Sequence, residues 1–184
     1  MTHSGNNGST WVFLLTAFMT GCVPHIAWVT ESLDPPSCIP DAPPTWKDYT
    51  PQNWKSVHSA QTAVRFVILS RRPPRLQARF DRTKSWVKSH IIESWYPYDQ
   101  ELRQRLLRHE QLHFAISCIL TRQANITLQS DTDLDKMLLL LRASAQRLNL
   151  QYDKDTNHGT IPTRQAQWET DVSQQLETVS PRKQ

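Results

Sequence analysis

The sequence predicts an α+β fold, a small antiparallel sheet from the N-terminal half followed by about three helices, and three observations carry that prediction. Apolar, β-branched runs come early; three-and-four spacing of apolar residues takes over after about residue 100; no alternation of strands with helices joins the two halves. A chain of 184 residues is long enough for one hydrophobic core with appendages.

The first strand is "TAVRFVILS", from Thr62 to Ser70. After the break "RRPP", the stretch "RLQARF" sets Leu76, Ala78 and Phe80 against polar neighbours, the pattern of a strand with one wet face. "KSWVKSHII" predicts a third, short strand. Asp99 is placed to cap the first helix, in which Leu102, Leu106, His109, His113, Ile116 and Leu120 form a single stripe, so both histidines face inward. A second helix opens between Ser130 and Asp133, with acidic residues in its first turn. Leu134, Met137, Leu138, Leu141, Ala145 and Leu148 lie on one side of it. The third begins near Pro162 and presents Trp168, Val172, Leu176 and Val179, after a Gly-terminated loop "YDKDTNHGT".

Ahead of this domain, expected over residues 53–180, the chain has the marks of export. Residues 1–21 resemble a lipoprotein-type signal peptide: the apolar run "WVFLLTAFM" is too short to span a bilayer, and Gly21 directly precedes Cys22, the expected lipid attachment site. The leader carries no Lys or Arg, and Met19 stands where such signals usually have Leu. Residues 22–52 are proline-rich, a tether between membrane and domain. The expected location is the cell envelope, lipid-anchored in the periplasm at the outer membrane, since Val23 gives no reason for inner-membrane retention, or otherwise secreted. Lipidation of Cys22 leaves Cys38 and Cys118 as an even pair for a possible disulfide; the alternative is Cys118 packed as a small hydrophobe.

The net charge of +4 makes the surface mildly basic. Seven of the 21 basic residues fall between Arg71 and Lys88, interleaved with Phe80 and Trp86. That pattern is conceivable for nucleic acid, but an exported chain does not meet it, so no nucleic-acid partner is expected. A solvated strand face is the simpler reading, with anionic envelope polymers as the alternative partner.

The chemistry concentrates in "LLRHEQLHFAISCILTR". Histidines four apart on a helix project the same way and can reach one ion, while Glu110, about 100° around the helix, stands beside that ion. Zinc held by three protein ligands keeps a position for water and lowers its pKa towards roughly 7, so a neighbouring glutamate can take the proton. Composition alone predicts roughly 0.009 occurrences of this H-E-x-x-H pattern, so coincidence is a poor explanation. A third ligand is needed. Asp131, Asp133 and Asp135 are better explained as first-turn charges; Asp153, Asp155 and His158 share the loop that could fold over the site. An imidazole is the commoner partner to two others, and Gly159 frees the backbone to aim it.

"RHEQLHF", "ARFDRTKSWV", "YDKDTNHG" and the following Gln165 and Trp168 together resemble the motif set of a bacterial family of predicted secreted, zinc-dependent proteases, long catalogued as a domain of unknown function. The resemblance runs from about Trp54 to Leu176. It implies a zincin-like helix with His109 and His113 on zinc and Glu110 as general base, and it favours His158, in the "HG" motif, as third ligand. Leu112 departs from the small residue expected there, and would narrow a substrate cleft; Cys118 is a second peculiarity.

The expected function is therefore a zinc-dependent peptidase acting on a peptide or protein substrate in the envelope. The alternative is a non-catalytic envelope lipoprotein whose structural or vestigial metal accompanies binding of a partner or anionic polymer. An amidase acting on cell-wall peptide links would use the same chemistry. Tyr98 and Tyr152 are candidates to stabilise an oxyanion, with packing the plainer role, and Asn125 in "NIT" is expected to lie in loop sequence.

Overall fold

Two short strands precede the first long one. Thr50–Gln52 (β1) and Ala60–Gln61 (β2) flank Trp86–Lys88 (β5), β1 parallel and β2 antiparallel to it, in the order β1-β5-β2. Val64–Arg71 (β3) and Pro74–Phe80 (β4) form a separate antiparallel hairpin, with Val64 opposite Phe80 and Phe66 opposite Ala78. The α+β class holds, but the expected single antiparallel sheet is two sheets, one of them mixed. This computed structural model describes residues 43–53, 55–93 and 97–178, all within the second of two compact units, Asp34–Gln184. The signal segment, Cys22, Cys38 and Val179 lie outside the described residues, as does the Tyr98 side chain.

The link from β4 to β5 is built around one carboxylate. Asp81, 2% exposed, accepts from the Thr83 amide (3.1 Å) and hydroxyl (2.6 Å) and pairs with Arg65 (3.3 Å). Its backbone carbonyl receives the amides of Lys84 and Ser85, closing the turn that delivers Trp86 to the mixed sheet. The motif "ARFDRTKSWV" is thus architecture. The neighbouring basic residues are partly occupied as well, Arg71 with Asp135 and Arg82 with Asp48.

Strand ends at Lys88, and the "SHII" that follows becomes the short helix Ser89–Glu93 (α1). The long helix Pro97–Thr127 (α2) starts on a proline, whose fixed φ and missing N–H suit a first helical position, so Asp99 lies inside the first turn and not at the N-cap position. Leu112, Phe114, Ile116, Ser117, Cys118, Ile119 and Thr121 are all buried. Consecutive positions cannot share one face, so α2 is covered on several sides and the single predicted stripe is too narrow; Leu102, at its outer end, is 39% exposed.

Leu134–Thr156 (α3) is capped by Asp133, whose carboxylate accepts from the Lys136 amide at 3.0 Å. It ends where Asn157 takes the left-handed conformation, φ 46°. Pro162–Thr178 (α4) follows as predicted. The hairpin and α3 enclose one core around Phe66, Leu76, Ala78, Ala124, Leu141 and Ala145. A second joins Leu112, Ile116 and Ile119 of α2 to Tyr152 of α3 and Val172 of α4. A third, around Tyr49, Ala60 and Val87, receives Leu106 and Leu107 from the start of α2.

Two sequence expectations change here. Leu112 is core, 8% exposed among Ile116, Tyr152 and Val172, so it anchors the helix instead of narrowing a cleft. Asn125 is on α2: its amide oxygen accepts from the Leu76 N–H (2.8 Å) and its amide nitrogen donates to the Leu76 carbonyl (2.9 Å), fastening the hairpin to the helix. No helix among the described residues is long and apolar enough to cross a membrane.

Candidate metal centre

Three pairs of residues, each four apart on its own helix, meet in one connected group: His109 and His113 on α2, Asn149 and Asp153 on α3, Gln165 and Glu169 on α4. The link between α2 and α3 is short, so the two helices run antiparallel, and His113 meets Asn149 while His109 meets Asp153. Asp153 was expected in a loop. The helix instead continues through Thr156, because Tyr152 and Thr156, both 0% exposed, extend the row of buried Leu141 and Ala145 and half-buried Leu148.

His109 Nε2, His113 Nε2 and Asp153 Oδ1 make a triangle with sides of 3.3, 3.1 and 3.2 Å. Tetrahedral zinc with bonds of about 2.0–2.1 Å spaces its ligand atoms about 3.3–3.4 Å apart, so the triangle has the right size. The opposite ring nitrogens fix the tautomers. His113 Nδ1 faces the amide oxygen of Asn149 at 3.0 Å and His109 Nδ1 faces that of Gln165 at 3.3 Å. Both Nδ1 atoms therefore carry a hydrogen and donate it, so each Nε2 turns either a lone pair or a second proton into the triangle. Two imidazole lone pairs and a carboxylate oxygen at such distances repel one another unless a proton or a cation lies among them.

The charges agree. Burial opposes ionisation of Asp153, but hydrogen bonds from His109 and His113 outweigh it and hold its carboxyl below the usual range. Burial likewise opposes charge on His113, yet Asp153 and the nearby Glu110 push its pKa up. His109, His113 and Asp153 are the group among the described residues that could hold a metal ion.

Glu110 is 4% exposed, and its Oε2 has no hydrogen-bond partner in the protein. Its backbone carbonyl accepts from the Thr62 hydroxyl, itself 2.7 Å from the Tyr49 hydroxyl. A buried carboxylate oxygen with nothing to bind is costly unless it meets a ligand or reactant.

His158 stands at the edge of the group. Its Nδ1 is 3.5 Å from Asp153 Oδ1, its side chain is 55% exposed, and its ring lies edge-on to His58, with centroids 5.1 Å apart. Asp153, a candidate ranked behind His158 in the sequence, thus completes the triangle, and His158 approaches it from solvent. Asp155 turns elsewhere, to Gln151 and Trp168. Gly159 does more than free the backbone: at φ +75° its Cα lies against the His109 ring, where a Cβ would fall 2.9 Å from Cγ.

Tyr152 is not available to an oxyanion. It is fully buried, stacks on His109 with centroids 4.6 Å apart, and donates its hydroxyl to Gln165 Oε1 at 2.7 Å. Cys118 is buried at 3% exposure in mid-α2, consistent with a small hydrophobe, while Cys38 lies outside the described residues. Asn149, Gln165 and Glu169 were not assigned roles from sequence. Their four-residue spacing, repeated on adjacent helices, is the signal that could have found them. No family model, curated protein or solved structure matches this chain.

Proposed function

We propose that this chain is a metal-dependent peptidase, with His109, His113 and Asp153 as zinc ligands and Glu110 as general base. The observation that supports it best is the pairing of a donor triangle of zinc dimensions with a buried, unpartnered carboxylate on the next residue of the same helix. When bound there, zinc supplies Lewis acidity and makes water easier to deprotonate. Glu110 Oε2 accepts the proton from the attacking water and later delivers it to the departing amine. Asn149 and Gln165 hold the two imidazoles in the metal-binding tautomer through their Nδ1 hydrogens.

His158, exposed at the rim beside His58, faces the side from which a substrate arrives, and remains a candidate to join the metal as a further ligand. The resemblance to secreted zinc-dependent proteases agrees with this reading. The N-terminal pattern extends it: export, lipid on Cys22, and action on peptides or proteins in the cell envelope.

The test compares wild type with Glu110→Gln. Hydrolysis of a denatured protein substrate should fall by at least about a thousandfold while bound zinc per chain is unchanged. Undiminished cleavage in the variant, or zinc lost along with activity, would count against the mechanism.

A further inference from the structure

Gln165 is only 4% exposed, yet every polar atom of its side chain is committed. Its Oε1 accepts from the Tyr152 hydroxyl at 2.7 Å and from His109 Nδ1 at 3.3 Å, and its Nε2 donates to Glu169 Oε1 at 2.9 Å. This arrangement has one orientation, since a flipped amide would set its NH2 against two donors and its oxygen against a carboxylate. Glu169 therefore fixes Gln165, and Gln165 fixes His109.

We propose that Glu169 and Gln165 form a positioning pair that sets the strength of His109 as a metal ligand, a role that rests on the metal-binding reading above. An amide whose NH2 donates to a carboxylate carries more negative charge on its oxygen. That oxygen draws harder on the Nδ1 hydrogen of His109, and the imidazole becomes a better electron-pair donor at Nε2. The carboxylate thus acts on the metal through one intervening amide. Glu169 is anchored from the other side by Arg108, whose Nε lies 3.7 Å from the same Oε1, so the residue immediately before His109 also holds the far end of the chain of contacts.

A merely space-filling Gln165 makes a different prediction from an electronically active one, and exchanging the two side chains separates them. Gln165→Glu combined with Glu169→Gln keeps the same atoms and a donor–acceptor contact, but moves the charge from two links to one link away from His109. Zinc affinity is read by competition with a chromophoric chelator, at fixed pH, on the full chain. Glu169→Gln alone should weaken zinc binding several-fold, Gln165→Leu by about 10–100-fold, and the exchanged double variant should bind several-fold more tightly than wild type.

Thermal unfolding of the metal-free proteins reports whether each variant is folded, and the mild Glu169→Gln carries the test should Gln165→Leu fail to fold. Unchanged or weaker zinc binding in a folded double variant, with no loss in Glu169→Gln, overturns the proposal while leaving the ligand set intact. No zinc binding by wild type overturns the metal reading and this proposal together.

Discussion

Asp81 and Asp153 are two aspartates of the same domain, each drawn into hydrogen bonds and each held below the usual carboxylate range, yet they do opposite things. The Thr83 hydroxyl and amide, with Arg65 beside them, lower Asp81 against the pull of burial, and all of these donors keep their hydrogens near neutral pH. The donors to Asp153 are imidazoles whose Nε2 atoms can carry either a proton or a metal. An acid whose partners cannot change is part of the frame; one whose partners can change is a place for chemistry. Both sit in motifs of similar look, "ARFDRTKSWV" and "YDKDTNHG", and only the identity of the partners tells them apart.

Crossing the two sites is the sharpest way to break this comparison. Asp153→Ala should lower zinc affinity by about a thousandfold, and at pH above the folded value of His113, where that imidazole is neutral, it should change the unfolding temperature of the metal-free protein little. Asp81→Ala should do the reverse, costing about 2–4 kcal/mol of stability by removing the charge-assisted hydrogen bonds that hold the turn before β5, with zinc stoichiometry unchanged. Chemical denaturation and zinc titration of both proteins check it, and equal losses in both measurements would erase the distinction.

A smaller effect is expected from Gly159→Ala. The left-handed φ of +75° and the approach to His109 together should cost about 1–3 kcal/mol, and zinc binding should weaken because the His109 ring must move. Loss of stability without any change in zinc affinity would show that Gly159 serves the turn alone.

The smallest effect is a pH dependence with opposite signs. Asp81 is lowered in the fold, so its contribution is present above the unfolded carboxylate value of about 3.9 and is lost as pH falls through its lower folded value. His113 is raised, so in metal-free protein its contribution is full below about 6.5 and is lost as pH rises through its higher folded value. Asp81→Asn should make the acid side of the stability profile shallower, with the slope due to Asp153 remaining, and His113→Gln should do so on the neutral side; the same side changed in both would contradict the assignments.

Much of this was legible in the chain. The spacing of His109 and His113, the buried row on α3 and the start at Pro162 follow from periodicity and local chemistry, which act within one element. What escaped was set between elements. "YDKDTNHGT" is polar and reads as loop, but Tyr152 and Thr156 are buried against neighbouring helices and carry α3 one turn further, which turns Asp153 from a loop candidate into a helix residue facing His109. Leu112 looked like a cleft residue because it lies between His109 and His113 in sequence; α4 covers it. The partner of β5 is likewise a long-range choice, since β1 and β2 are too short to announce themselves by alternation.

All three members of the triangle stand on long helices locked together by a common core, and none is on a loop that could stretch. Such a frame discriminates by ionic radius. Calcium, which takes six to eight oxygens at about 2.3–2.6 Å, would require the donors to spread and the helices to separate, and magnesium prefers an octahedron of oxygens to two imidazoles. Among small ions that accept nitrogen the frame offers little choice, and binding strength follows the general order in which copper and nickel compete with zinc. Under the proposed metal reading, the ion such a frame would hold depends as much on the metals of the surrounding compartment as on the chain itself.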